Sequence, residues 1–158
     1  AAELRDIAAM AGVPIAGLHW LLAAPDGLSI TTPDAAVRER TVAAMKRLVH
    51  LAAMLGASFL VHGSRRDVAE GESVQTATAR ARDCFAAVAE TAAACDQLYC
   101  IEPLDNDVTP VINTLAPETE IVREIGSPAL SAMLDCNHAA KMEPEPLPAV
   151  IDRWFPTA

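Results

Sequence analysis

The sequence predicts an α/β fold on a parallel sheet, and three observations carry that reading. Short apolar runs of strand length alternate with amphipathic stretches long enough for helices. No GxGxxG or GxxxxGK(S/T) phosphate loop follows any apolar run, which counts against dinucleotide-binding and P-loop folds. The polar residues that could do chemistry gather just after the apolar runs: His19-Trp20, Gly63-Ser64-Arg65, Glu102 and Asp135 to His138. Clustering at several strand ends is how a (β/α)-barrel builds its active site, although open α/β sheets also bind ligands along that edge.

The elements follow in order. Ala2 to Ala11 reads as a helix stopped by Gly12 and Pro14. Ile15 to Leu22 (IAGLHWLL) reads as a buried strand, and Pro25-Asp26-Gly27 as a turn. Thr32 is expected to cap the next helix, with Pro33 at its first position and Gly56 as its stop. Val37, Met45, Leu48, Val49, Ala52 and Leu55 recur along it at helical spacing, and Arg38, Arg40, Lys46 and Arg47 form its solvated face. Ser58 to His62 reads as a strand, Ser73 to Ala94 as a helix, and Leu98 to Ile101 as a strand. Glu118 to Ile125 is expected as a short helix behind Pro117, ended by Gly126. Leu130 to Leu134 reads as a further strand, and Val150 to Phe155 as the start of a helix. These are about four strands, whereas a closed barrel needs eight and typically about 250 residues. The chain is therefore part of a longer barrel, half of an assembled one, or not a barrel, and residues 1–158 are read as one partial domain.

Composition narrows the function. Hydrophobic residues make up 52% of the 158, a globular proportion. No apolar run approaches the roughly 20 residues that cross a bilayer, and the charged first residues lack a signal-peptide core, so a cytoplasmic protein is expected. Cys84, Cys95, Cys100 and Cys136 form no CxxC pair and read as small buried hydrophobes. The net charge of −9, with basic residues scattered and aromatics at 4%, argues against a nucleic-acid partner and for a small or neutral substrate.

Glu102 directly follows the apolar run LYCI, where a carboxylate is costly unless a metal or a basic partner compensates it. Its competing reading is a loop carboxylate facing water. Asp135 follows SAML in the same way, with Asn137 and His138 close behind. Carboxylate suits hard cations and imidazole suits Mn, Co or Zn. The competing reading is a helix cap at Asp135 or, with more force, at Asn137. His19 and Trp20 could wall a sugar site, since a sugar ring exposes apolar C–H faces. Each alone reads more readily as a satisfied core residue. His62 is equally open, and His50 reads as a surface residue.

Several motifs then occur in a telling order: GLHWLL with a following GLS, Arg38 and Thr41 in the next helix, LGASFLVHGS, CIEPL, INT and MLDCNH. Together they resemble the xylose isomerase-like (β/α)-barrel superfamily, in particular its sugar phosphate isomerase/epimerase group, which includes ketose 3-epimerases. The resemblance implies that the chain covers about the third to sixth strands of a TIM-like barrel. It implies a metal-dependent isomerase or epimerase of a small sugar or sugar phosphate, using Mn2+, Mg2+, Co2+ or Zn2+. By it, Glu102 is a metal ligand and catalytic carboxylate, Asp135 a second ligand, and His138 a substrate contact; His19 and Trp20 are expected at the sugar from their place at the end of an apolar run. The family's remaining His and Glu ligands have no counterpart in these residues, so the 158 residues alone are expected to be inactive. Two departures concern the substrate: the acidic residue expected six positions after Glu102 is Val108, with Asp107 adjacent, and His62 stands where Phe is common. An inosose dehydratase or apurinic-site endonuclease on the same scaffold, and a non-catalytic half-barrel subunit, stay open. So does a homo-oligomer.

Overall fold

Four parallel strands lie side by side in chain order: β1 (Gly17–Leu18), β2 (Phe59–His62), β3 (Leu98–Ile101) and β4 (Leu130–Ala132). The computed structural model describes residues 1–155; the last three residues of the 1–158 domain lie outside the described residues. Helices α1 (Ala2–Met10), α2 (Ala35–Leu55), α3 (Val74–Ala94), α4 (Leu115–Ile125), α5 (Cys136–Met142) and α6 (Leu147–Trp154) complete the chain. A parallel sheet wound in chain order through helical crossovers is the unit of which a TIM barrel is made.

The pleat gives the sheet two different faces. Leu60, Tyr99, Ile101 and Leu130 point into the core shared with α2, α3 and α4, against Met45, Val49, Phe85, Val88 and Ile121. Fully buried Ala52, Ala77, Ala81 and Ala92 let the helices approach closely, since they present only a methyl group. The register Leu60↔Tyr99 and His62↔Ile101 puts Phe59, Val61 and Gly63 of one strand beside Leu98, Cys100 and Glu102 of the next on the opposite face. Phe59 and Leu98 on that face remain 38% exposed.

Inside the core, His62 is wholly buried beside Phe85 and Tyr99. Its Nε2 lies 2.9 Å from the Ser64 carbonyl, which can only accept, so Nε2 carries the proton and Nδ1 accepts from the Tyr99 hydroxyl. Burial and the neighbouring Arg66 charge push His62 down to about 3. Glu118 of α4 is also fully buried, with Oε1 accepting the Met133 N–H at 2.9 Å. Burial raises its carboxyl to about 9.

The structure shifts several expected boundaries. The strand expected over 15–22 is only Gly17–Leu18, because Trp20 and Leu22 adopt positive φ (55° and 62°) and end the extended backbone. Asp34, not Thr32, caps α2: its carboxylate accepts from the Ala36 and Val37 N–H groups. Gly56 closes that helix at φ 76°, as expected. Helix α4 begins three residues before Glu118 and takes Pro117 into its first turn, where no N–H is required. The Leu115 N–H is capped from a distance by Glu143 Oε1 at 2.7 Å. Helix α6 starts at Leu147 rather than Val150. The cysteines are all free; Cys84 and Cys100 are buried, but Cys136 is exposed and Cys95 half-buried. Among the described residues no helix is long and apolar enough to cross a membrane.

Two outcomes follow from these placements. Asp34→Ala lowers stability by about 1 kcal/mol, the usual cost of losing a cap, whereas Thr32→Ala does so by less; urea midpoints of the two variants check this. The buried titrating pair sets opposite pH slopes. Folded Glu118 keeps its proton to about 9 while the unfolded group releases it near 4.5, so its contribution is full below 4.5 and lost as pH rises. Folded His62 refuses the proton that the unfolded group takes up below 6.5, so stability falls as pH drops from there toward about 3. Stability measured against pH is therefore greatest between roughly 4.5 and 6.5, and Glu118→Gln removes much of the decline on the alkaline side.

Candidate functional site

Parallel strands bring all their carboxyl ends to one edge, and there the chain forms a pocket of about 330 Å³. Its wall includes His19, Trp20, Glu102, Asp135 and His138, every residue singled out as a site residue in the sequence. Gly63, Ser64, Leu104 and Val108 complete it.

Glu102 enters one residue after β3, its N–H donating to the His62 carbonyl so that the ladder continues into the site. It is only 5% exposed, so it is not a loop carboxylate facing water. Gly63 is what admits it. A Cβ at residue 63 would collide with Glu102 Oε2 and stand 3.2 Å from both Glu102 Cδ and Leu104 Cδ2. His19 Nε2 lies 3.5 Å from Glu102 Oε2, an ion pair when the imidazole is protonated.

Asp135 caps α5, its Oδ1 accepting from the N–H groups of Asn137 and His138 at 2.8 and 3.0 Å. The cap reading favoured for Asn137 therefore belongs to Asp135. Oδ2 of Asp135 has no hydrogen-bond partner among the described residues, and the residue that caps the helix also lines the pocket.

His19 and Trp20 are not core residues. Trp20 is 70% exposed and both stand at the pocket mouth. The loop that carries them is tied down by the loop after β2: the Ser64 hydroxyl donates to Leu21 O, and Arg65 Nε donates to Leu22 O at 2.9 Å. Arg65 also reaches Ala23 O and Asp26. His62 takes no part in the pocket, being held in the core.

Three charged residues escaped the sequence reading. Arg66 is 1% exposed, and its Nη2 donates to the Glu102 carbonyl at 2.8 Å. Its Nε and Nη1 are buried with no partner among the described residues. Burial lowers Arg66 to about 10, while the charges of Glu102 and Glu118 pull it back up. Only the Arg65-Arg66 pair hinted at it, and a basic pair after a strand ordinarily faces water. Asp105, 4% exposed, accepts from Lys141 Nζ at 2.6 Å and lies 3.0 Å from His138 Nδ1. The Lys141 and His138 hydrogen bonds hold its carboxyl below the usual range. Asp107, the expected substitute for the acid missing at Val108, is exposed and off the pocket, so the buried acid of this loop is Asp105. Glu118 looked like an ordinary first-turn acid of a helix.

Could the pocket hold a cation? Glu102 is a nearly dry carboxylate whose two oxygens have no hydrogen-bond partner among the described residues, and Asp135, with one oxygen outside the cap, lines the same pocket. Two hard oxygen donors fit a divalent ion, though they supply a minority of the six or so ligands one takes. Among the described residues no cluster of three or more His, Cys, Asp or Glu side chains is placed to hold a metal.

The model of the family described as xylose isomerase-like TIM barrel matches residues 1–154. A "Probable ketose 3-epimerase" of Synechocystis sp. is 28% identical over 124 residues, covering 77% of this chain and 43% of that protein. The structure of an L-ribulose 3-epimerase superposes with a TM-score of 0.86 at 21% identity, covering 98% of this chain and 52% of its own. A D-psicose 3-epimerase solved in the presence of D-fructose gives 0.85 at 23% identity, covering 98% and 54%. The chain thus spans less than half of the curated relative and about half of each structure.

Gly63→Ala tests the cradle. The new methyl must displace the Glu102 carboxylate or the backbone beneath it, at a cost of about 1–3 kcal/mol. Chemical denaturation gives the loss, and the double variant Gly63→Ala with Glu102→Ala recovers most of it, because the clash partner is gone.

Proposed function

The chain belongs to the xylose isomerase-like TIM barrel family, and we propose that the whole protein is a metal-dependent epimerase or isomerase of a small sugar, most closely a ketose. One observation carries this reading: Glu102 and Asp135, from successive strand ends, share a pocket with His19, Trp20 and His138. The similarity to the "Probable ketose 3-epimerase" supports it.

Glu102 and the free Oδ2 of Asp135 would hold the ion, with water, sugar oxygens or further side chains of the whole protein filling the remaining positions. A divalent cation held there would supply polarisation of the sugar's carbonyl and adjacent hydroxyl, and so would acidify the proton on the carbon beside the carbonyl. Glu102 takes that proton, since it is the carboxylate kept from water at the pocket floor. A second acid on the opposite sugar face must return a proton for the configuration to invert. Trp20, exposed at the mouth, offers a flat surface to the sugar's C–H face, while His19 and His138 offer polar contacts to its hydroxyls.

Glu102→Gln in the whole protein keeps the shape of the side chain and removes its charge and basicity. Turnover falls by at least about 10²-fold, followed as ketose C3 inversion or aldose–ketose exchange with Mn2+ or Mg2+ supplied. The thermal midpoint without metal changes little, or rises as a buried charge is relieved. Turnover at the wild-type rate would remove Glu102 from the chemistry and the reading with it.

A further inference from the structure

His138 is held by two groups of one residue that make opposite demands on it. Asp105 Oδ2 lies 3.0 Å from His138 Nδ1, and the Asp105 backbone N–H points at the same nitrogen from 3.3 Å. One ring nitrogen cannot donate to the carboxylate and accept from the amide at once. The carboxylate contact is shorter and charge-assisted, and a bare Nδ1 would set its lone pair against an anion. Asp105 is firmly an anion, because Lys141 Nζ sits 2.6 Å from the same oxygen. The other ring nitrogen, Nε2, has no partner among the described residues, and the ring lines the pocket.

We propose that Asp105 is a positioning residue that fixes His138 as its Nδ1–H tautomer, leaving Nε2 as a lone-pair acceptor for a sugar hydroxyl in the pocket. The hydroxyl rests on the sugar reading of this site; the tautomer does not. Three features make the arrangement a built one. Asp105 is 4% exposed, so solvent does not compete for it. The Leu104 carbonyl beside it accepts from Asn113 Nδ2 at 2.6 Å, which pins the loop. The His138 N–H is itself bonded to Asp135 Oδ1, which fixes the ring's backbone. A neutral acceptor placed near two carboxylates selects a ligand rich in O–H donors, and an analogue lacking the matching hydroxyl would leave that acceptor unpaired.

The test is nitrogen-15 NMR of the histidine rings in the intact protein, recorded at rising pH until the ring shifts no longer change. The wild type shows His138 Nδ1 protonated and Nε2 bare; a bare Nδ1 overturns the proposal without any variant. Asp105→Ala removes the carboxylate but keeps the backbone N–H, so the proton moves to Nε2; an unmoved proton also overturns the proposal. Lys141→Met leaves the carboxylate and therefore the tautomer. Titration with a ketose shifts the Nε2 resonance, and in the metal-loaded protein Asp105→Ala raises KM roughly tenfold with a smaller change in kcat. A correct tautomer with an Nε2 that no ketose perturbs overturns the hydroxyl contact and falls on the sugar reading, which separates that failure from failure of the Asp105 assignment.

Discussion

A carboxylate that water barely reaches governs the carboxyl edge of this sheet. Burying Glu102 is expensive unless its charge is compensated, and the surroundings are arranged to compensate it. Gly63 gives up its side chain to make room, and His19 approaches from the mouth. Arg66 holds the Glu102 carbonyl from behind. Its two remaining buried nitrogens are unpaired among the described residues, so its charge acts as a field on both Glu102 and Glu118 rather than closing one tight ion pair. Glu118 in turn holds Met133, just past β4. The loop after β2, the end of β3, the end of β4 and helix α4 are thereby linked through a single buried cation.

The two faces of the sheet explain why such a site sits where it does. Parallel strands are normally covered on both sides. Here one face carries the helices, while the face shared by Val61, Gly63, Cys100 and Glu102 leaves Phe59 and Leu98 partly exposed. In a closed (β/α)-barrel that second face is the interior. Apolar Phe59 and Leu98 and the buried Glu102 are therefore parts of one barrel-lining surface, apolar toward the amino ends of the strands and charged at the carboxyl ends.

Position along the chain made the main site legible. Glu102 and Asp135 stand out because each ends an apolar run, and β3 was read to the residue for the same reason: Tyr99, Cys100 and Ile101 are buried without interruption. Glycine at 56 announces its cap through backbone chemistry that acts locally, whereas Ser73, read as the first helical residue, is the cap before Val74. What stayed hidden depends on tertiary context. Nothing in Trp20 or Leu22 advertises positive φ, so β1 looked longer than it is. Thr32 and Asp34 are both good caps, and only the path of the chain decides between them. Arg66, Asp105 and Glu118 belong to residue types that ordinarily face water, and their burial is set by partners 15 to 43 positions away or by no hydrogen bond at all among the described residues.

Asp135 divides its two oxygens between unlike tasks. One oxygen terminates a helix, and selection for folding alone keeps an aspartate in that place whether or not anything is ever bound at the other. Glu102 has no such second livelihood: its carboxylate makes no hydrogen bond among the described residues, and its burial calls for the compensation that surrounds it. In a lineage that stopped using this pocket, position 135 would drift slowly and toward other capping residues, whereas position 102 would be replaced early by something apolar. Retention of glutamate at 102 among descendants is therefore the more telling record of a pocket still in use.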